Sequence, residues 1–133
     1  MTSKAPYTFE MQLKVRDYEV DSQGIVNNAN YLHYLEHTRH EFCESRGFTF
    51  RQMQQQGIDP VVSKIEIEYH SPLHLGETMR SCLWIERVGV RFLFHQDVFT
   101  PSGALAARAI VSVVALEGGR VSRGDVLVKA LGL

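Results

Sequence analysis

The chain has 133 residues, 44% hydrophobic and 22% charged, an ordinary composition for one globular domain over 1–133 with a core of its own. Its formal net charge is −1, so no global field favours nucleic acid or an anionic membrane, and neither is expected as a partner. Cys43 and Cys82 form no Cys-x-x-Cys or Cys/His spacing, which argues for reduced structural thiols rather than a metal site. The opening MTSKAPYTFEMQ has no signal-like apolar run, and no stretch reaches the ~18 apolar residues that span a bilayer, so the expected location is the cytoplasm.

Residues 8–20 alternate, with Phe9, Met11, Leu13 and Val15 on one side and Glu10, Gln12, Lys14 and Arg16 on the other. That is the period of a half-buried strand. Asp21-Ser22-Gln23-Gly24 then reads as a turn. Asn27, Asn28 and Asn30 are all good helix caps, and a helical stripe of Tyr31, Leu35, Thr38 and Phe42, widened by Tyr34 and Cys43, runs to a stop at Gly47. This is the longest predicted helix, about 16 residues. A short helical turn follows over Phe50–Gln55, and Asp59-Pro60 punctuates the chain.

From Val61 the pattern becomes strand-like, with Ile65, Ile67 and Tyr69 alternating with Glu66, Glu68 and His70 until Ser71-Pro72. Three more strands are predicted over 77–88, 91–99 and 105–116, separated by Gly89, Pro101-Ser102-Gly103 and Gly118-Gly119. The apolar run from Val113 to Leu116 suggests a strand buried on both faces. Residues 125–131 suit either a short helix or a final strand. The expected fold is α+β, with four consecutive strands as a meander and one helix across the sheet. One helix cannot cover a broad curved sheet, so apolar strand surface should remain and drive oligomerisation.

The chemistry concentrates in Asp21–Arg39. A helix N-terminus offers unpaired N–H groups and the positive end of a dipole. A carboxylate on a loop beside it can attack, or deliver water to, a carbonyl that those groups polarise, which suits acyl transfer. Asp21 equally suits a simple turn-former, and Asn27 and Asn28 simple caps.

The segment Asp21-x-x-Gly24-x-Val26-Asn27-Asn28-Ala29-x-Tyr31, followed by Tyr34-x-Glu36-x-x-Arg39, resembles the hotdog-fold acyl-CoA thioesterases of the 4-hydroxybenzoyl-CoA thioesterase-like group. Tyr69-x-x-Pro72-Leu73-x-x-Gly76 is a second, weaker match, and the likeness spans essentially the whole chain. It implies a hotdog fold, an antiparallel sheet of about five strands wrapped around one long central helix. It also implies homodimers or homotetramers with sites at the dimer interface. The implied reaction is thioester hydrolysis without cofactor or metal. Asp21 would be nucleophile or general base, and the Asn28 N–H would polarise the carbonyl.

On the same resemblance, Tyr31, Tyr34 and Arg91 are candidate substrate-binding residues, Arg91 toward the phosphates of coenzyme A. Glu36 and Arg39 form a candidate supporting ion pair at helical spacing. The basic cluster of the group is thinner here, Arg87-Val88-Gly89-Val90-Arg91, which leaves an acyl carrier protein as the alternative donor. A second branch of hotdog enzymes uses a helix glutamate with His-Gly-Gly, a segment missing here. His33, His37 and His40 share helical spacing but no HExxH motif, and read as a solvated face. Phe42, Phe48, Met53, Ile58 and Val62 are candidates for an acyl pocket or for plain core. Aromatic or medium-chain acyl-CoA is the expected substrate. A hydratase and a non-catalytic acyl-binding protein are the competing readings.

Overall fold

A computed structural model describes residues 7–133; the N-terminal reading over residues 1–6 lies outside the described residues. The elements are β1 (Phe9–Lys14), α1 (Asn28–Ser45), α2 (Phe50–Gln55), β2 (Ile58–Tyr69), β3 (Thr78–Val88), β4 (Arg91–Phe99), β5 (Leu105–Glu117), β6 (Arg120–Ser122) and α3 (Asp125–Leu131). The sheet runs β1-β3-β4-β5-β2 with every pair antiparallel, and β6 adds to β5. This is the expected α+β architecture, a sheet curled around one long helix.

The strand order corrects the four-strand meander. Only β3, β4 and β5 form one; β2 pairs with β5, and β1 takes the place beside β3. A hairpin from β2 to β3 would need a turn of about 2–5 residues. The connection here is longer and is anchored by Leu73, which is fully buried. Asp59-Pro60 also lies inside β2 rather than before it. β2 is an edge strand, where the missing proline N–H costs no ladder bond on the open side.

β1 ends at Lys14, short of the expected residue 20. A single 3-10 turn over Asp17–Glu19 interrupts it, closed by the Glu19 carboxylate accepting from the Arg16 backbone N–H at 2.8 Å. Residues 125–131 form a helix, which resolves that alternative. Its Leu127 and Leu131 are buried.

α1 has 18 residues. Asn27 caps it, its Oδ1 accepting from the Ala29 N–H at 2.9 Å, and Gly47 leaves it with φ of +77°. The expected stripe is the buried one: Tyr31, Tyr34, Leu35, Thr38, Phe42 and Cys43, joined by Arg39. α1 lies over β1 and β3, and α2 over β2. The inward face of β4 and β5 between them is buried, through Phe92, Phe94, Val98, Ala107, Ala109 and Val111, whereas Val61, Val62, Ile65 and Tyr69 of the edge strand β2 are each at least 38% exposed. No helix among the described residues is long and apolar enough to cross a membrane.

Cys43 sits on the buried face of α1, and Cys82 faces the other side of the sheet, since its neighbour Ser81 meets α1 through Thr38 at 2.7 Å. Burial pushes the thiols up to about 11 for Cys43 and about 12 for Cys82. The folded protein should therefore leave both thiols unreacted with an aromatic disulfide reagent at neutral pH, and both should react after unfolding.

Candidate active site

Asp21 sits on a loop that folds back on itself. Its N–H donates to the Ile25 carbonyl at 2.9 Å, its carbonyl accepts from Gly24 N–H at 3.0 Å, and its Oδ1 accepts from Gln23 N–H at 2.8 Å. Gly24 takes φ of +78°, open to glycine without strain. The carboxylate is exposed and its second oxygen has no bond among the described residues.

The Tyr69–Gly76 segment fastens this loop to the sheet. The Leu73 carbonyl accepts from Val26 N–H at 2.9 Å, Leu75 N–H donates to the Gly24 carbonyl at 3.1 Å, and Gly76 N–H to the Val15 carbonyl at 3.2 Å. Tyr69 then reaches α1, its hydroxyl donating to the Asn28 carbonyl at 3.2 Å. The two sequence motifs are thus two halves of one clamp.

Asn28 is the first residue of α1. Its carbonyl is used, and its backbone N–H has no partner among the described residues. Together with the dipole of α1, that leaves a donor aimed outward beside the Asp21 loop. Tyr31 packs edge-on against Tyr69 with ring centroids 5.3 Å apart, forming a wall beside the helix start. Burial pushes its phenol up.

The structure thus places Asp21 on the clamped loop that leads into α1, with Asn28 and Tyr31 at the start of that helix, and sets the other candidates elsewhere. The Tyr34 hydroxyl points inward and donates to Glu19 Oε1 at 2.9 Å, so it is already engaged. The expected Glu36–Arg39 ion pair is not formed. Glu36 is exposed, while Arg39 is buried and donates to Gln96 Oε1 at 3.0 Å; Gln96 in turn donates to the Leu35 carbonyl at 3.1 Å. A helix residue at i+3 faces partly inward here, and the nearest acceptor is on β4. Burial lowers the Arg39 pKa, with Glu36 offsetting part of it.

Arg91 opens β4 and is exposed. In register, Tyr69 and Val98 both face Ala107, so the Asn28 end of the sheet is the Val98 end of β4. Arg91 is at the opposite end, about 24 Å away along the strand. Arg87 is occupied by the Arg123 carbonyl and by Asp125 Oδ1 at 3.3 Å. β6 continues the line of β4 along β5, which adds the exposed Arg120 and Arg123 to that end. These two cations were missed because they follow a glycine hairpin far along the chain.

A cavity of about 90 Å³ lies where α1, α2, α3 and the sheet meet. Of the five pocket candidates, Met53 and Val62 line it, with Cys43, Leu127 and Leu131; Phe42, Phe48 and Ile58 are core instead. Glu36, Arg39 and His40 form its polar edge. No group of three or more metal-ligating side chains occurs among the described residues.

The sequence profile of the thioesterase-like superfamily matches residues 15–123, which includes every residue of the clamp. The chain belongs to that superfamily. It is 34% identical over 107 residues to YneP of Bacillus subtilis, which carries a provisional acyl-CoA thioesterase name, covering 80% of this chain and 78% of the relative. It is 30% identical over 110 residues to the long-chain acyl-CoA thioesterase FadM of Escherichia coli, covering 81% and 83%. A solved structure of a hypothetical protein from Aquifex aeolicus superimposes with a TM-score of 0.86 at 30% identity, over 92% of this chain and 98% of that one.

Glu19, together with Arg16, is the main feature that the sequence reading missed. Glu19 is 5% exposed and takes four hydrogen bonds, two from the Arg16 guanidinium at 2.6 and 3.0 Å, one from the Arg16 N–H and one from Tyr34. Burial alone would raise its pKa, but the Arg16 and Tyr34 bonds outweigh that and hold it below the ordinary range. Folded protein therefore binds fewer protons than unfolded at this group, and stability is lost as pH falls below about 4.3. Thermal melts between pH 7 and 3 should show this loss, and Glu19→Gln should flatten the acid limb.

Proposed function

We propose that this chain hydrolyses acyl-CoA thioesters to a carboxylic acid and free coenzyme A, with Asp21 and the Asn28 N–H as the reacting groups. The observation that carries this reading is the unpartnered Asn28 N–H beside a carboxylate on a clamped loop. The thioester carbonyl oxygen accepts from that N–H as negative charge develops on it. Asp21 attacks the carbonyl carbon and water then hydrolyses the resulting mixed anhydride, or Asp21 takes a proton from the water that attacks directly. The C–S bond breaks, the thiolate leaves and takes up a proton, and a thiolate needs no strong acid to leave. Tyr31 contacts the substrate near the carbonyl, and Tyr34 supports the site from behind.

Two substitutions isolate these groups. Asp21→Asn keeps an oxygen for the Gln23 N–H, so the loop holds, and kcat should fall at least ~100-fold. Asn28→Ala leaves the donor in place and should change little. Asn28→Pro removes the N–H alone, because position N1 suits proline and Asn27 already has φ of −66° and ψ of 141°. Its kcat should fall about 100- to 1,000-fold in a folded protein. Full activity in both would sink the assignment.

The open β2 edge supports a homodimer, with tetramers as a further stacking of dimers. Pairing two β2 edges about a two-fold axis reverses the second sheet, so its Arg91 end lies beside this chain's Asn28. Arg91, with Arg120 and Arg123, then serves the coenzyme A phosphates of a site in the other copy. Mixing inactive Asp21→Asn with weakened Arg91→Ala protein should restore activity by forming one intact site per hybrid dimer. Light scattering should show no monomer.

The acyl group runs along the exposed β2 strip from Tyr69 toward Val62 and the cavity. From Asn28 to Arg39 is about 16 Å along α1. An extended chain gains about 1.2 Å per bond, so an aliphatic chain of about fourteen carbons reaches the cavity. FadM, named for long-chain substrates, supports the same class. Across an acyl-CoA series, kcat/KM should rise toward that length and be at least ~10-fold lower for acetyl-CoA. Buried reduced thiols support a cytoplasmic location.

A further inference from the structure

Glu19 takes no part in the reaction proposed above, yet it receives more hydrogen bonds than any other carboxylate among the described residues. Its backbone is equally committed. The Glu19 carbonyl accepts from Asn27 N–H at 3.1 Å and from Asn30 Nδ2 at 2.7 Å. One residue therefore grips α1 at three points: the cap, the third helical residue and, through Tyr34, the second turn.

The positions of those grips matter. Asp21 follows Glu19 by two residues, and Asn28 follows the gripped Asn27 by one. Between them the chain is pinned by a Val20–Val26 bridge and the Leu73–Val26 bond. The distance from the carboxylate to the N–H is thus set across Glu19 on one side of the loop, with the Leu75–Gly24 bond and the Ile25–His74 bridge holding the tip on the other.

We propose that Glu19 is a positioning residue that fixes Asp21 against the Asn28 N–H, with Arg16 and Tyr34 locking its side chain. Glu19 also stabilises the fold at neutral pH, a separate effect that melting temperatures read. Geometry is where such a network acts, since a displacement of about 1 Å at a reacting group costs about 100-fold in rate. This inference rests on the thioesterase reading.

The test measures kcat and KM on tetradecanoyl-CoA for the full chain, for Tyr34→Phe and for Glu19→Gln, with melting temperatures alongside. Tyr34→Phe keeps the buried ring and loses one bond, so it should fold and lose about 5- to 10-fold in kcat with KM within twofold. Glu19→Gln should lose about 30-fold in kcat with KM again held. The same two substitutions in an Asp21→Asn background should lose most of their effect, because a positioning residue acts only through what it positions. Wild-type kcat in a folded Tyr34→Phe and Glu19→Gln would overturn the proposal, as would an undiminished loss in the Asp21→Asn background. A wild-type protein with no turnover would instead sink the thioesterase reading, and this inference with it.

Discussion

One helix against a six-stranded sheet is the constraint from which the rest follows. α1 can cover β1 and β3 and reach β4, and α2 covers the start of β2. The apolar strip along the β2 edge stays exposed. A monomer that leaves apolar strand surface open needs either a ligand or a second copy there, and the proposed enzyme uses both. The same strip joins the helix start to the cavity below α3, so the fold's incompleteness and its acyl path have one cause.

Packing α1 this way fixes where its N-terminus emerges. The buried stripe sets the rotation of the helix, Arg39 and Gln96 tie its middle to β4, and Thr38 and Ser81 tie it to β3. Its first turn is then held by Glu19, by Tyr69 on the Asn28 carbonyl and by Leu73 on Val26. Each of these leaves the Asn28 N–H alone. Polar groups this enclosed are costly unless paired, and no buried side-chain polar atom among the described residues lacks a partner. The Asn28 N–H lies at an exposed helix start, where water satisfies a free donor and a ligand can replace it.

Much of this was legible in the sequence. Period-two alternation located β1 and the second half of β2, and the stripe and caps located α1 within three residues of each end. The Asp21–Tyr31 motif marked the loop that the structure clamps. What escaped was set by contacts between distant segments. The place of β2 beside β5 depends on Leu73 being buried, which no local pattern encodes. Glu19 was hidden because the strand was read through to residue 20, although Asp17 and Glu19 break the alternation by falling on the apolar side of Phe9, Met11, Leu13 and Val15. Arg39 faced Gln96 rather than Glu36 because helix spacing names neighbours on α1 and cannot name those on β4.

The central claim is that the thioester carbonyl meets the Asn28 N–H with Asp21 beside it. A crystal structure with an acyl-CoA analogue whose sulfur is replaced by CH₂, a ketone that keeps the carbonyl but cannot be hydrolysed, tests it most directly. The account predicts that the carbonyl oxygen lies about 3 Å from the Asn28 N, the Asp21 carboxylate lies within reach of the carbonyl carbon or one water away, and the chain points toward the cavity. A carbonyl bound at the exposed Glu36 face, or anywhere out of reach of Asn28, would contradict it.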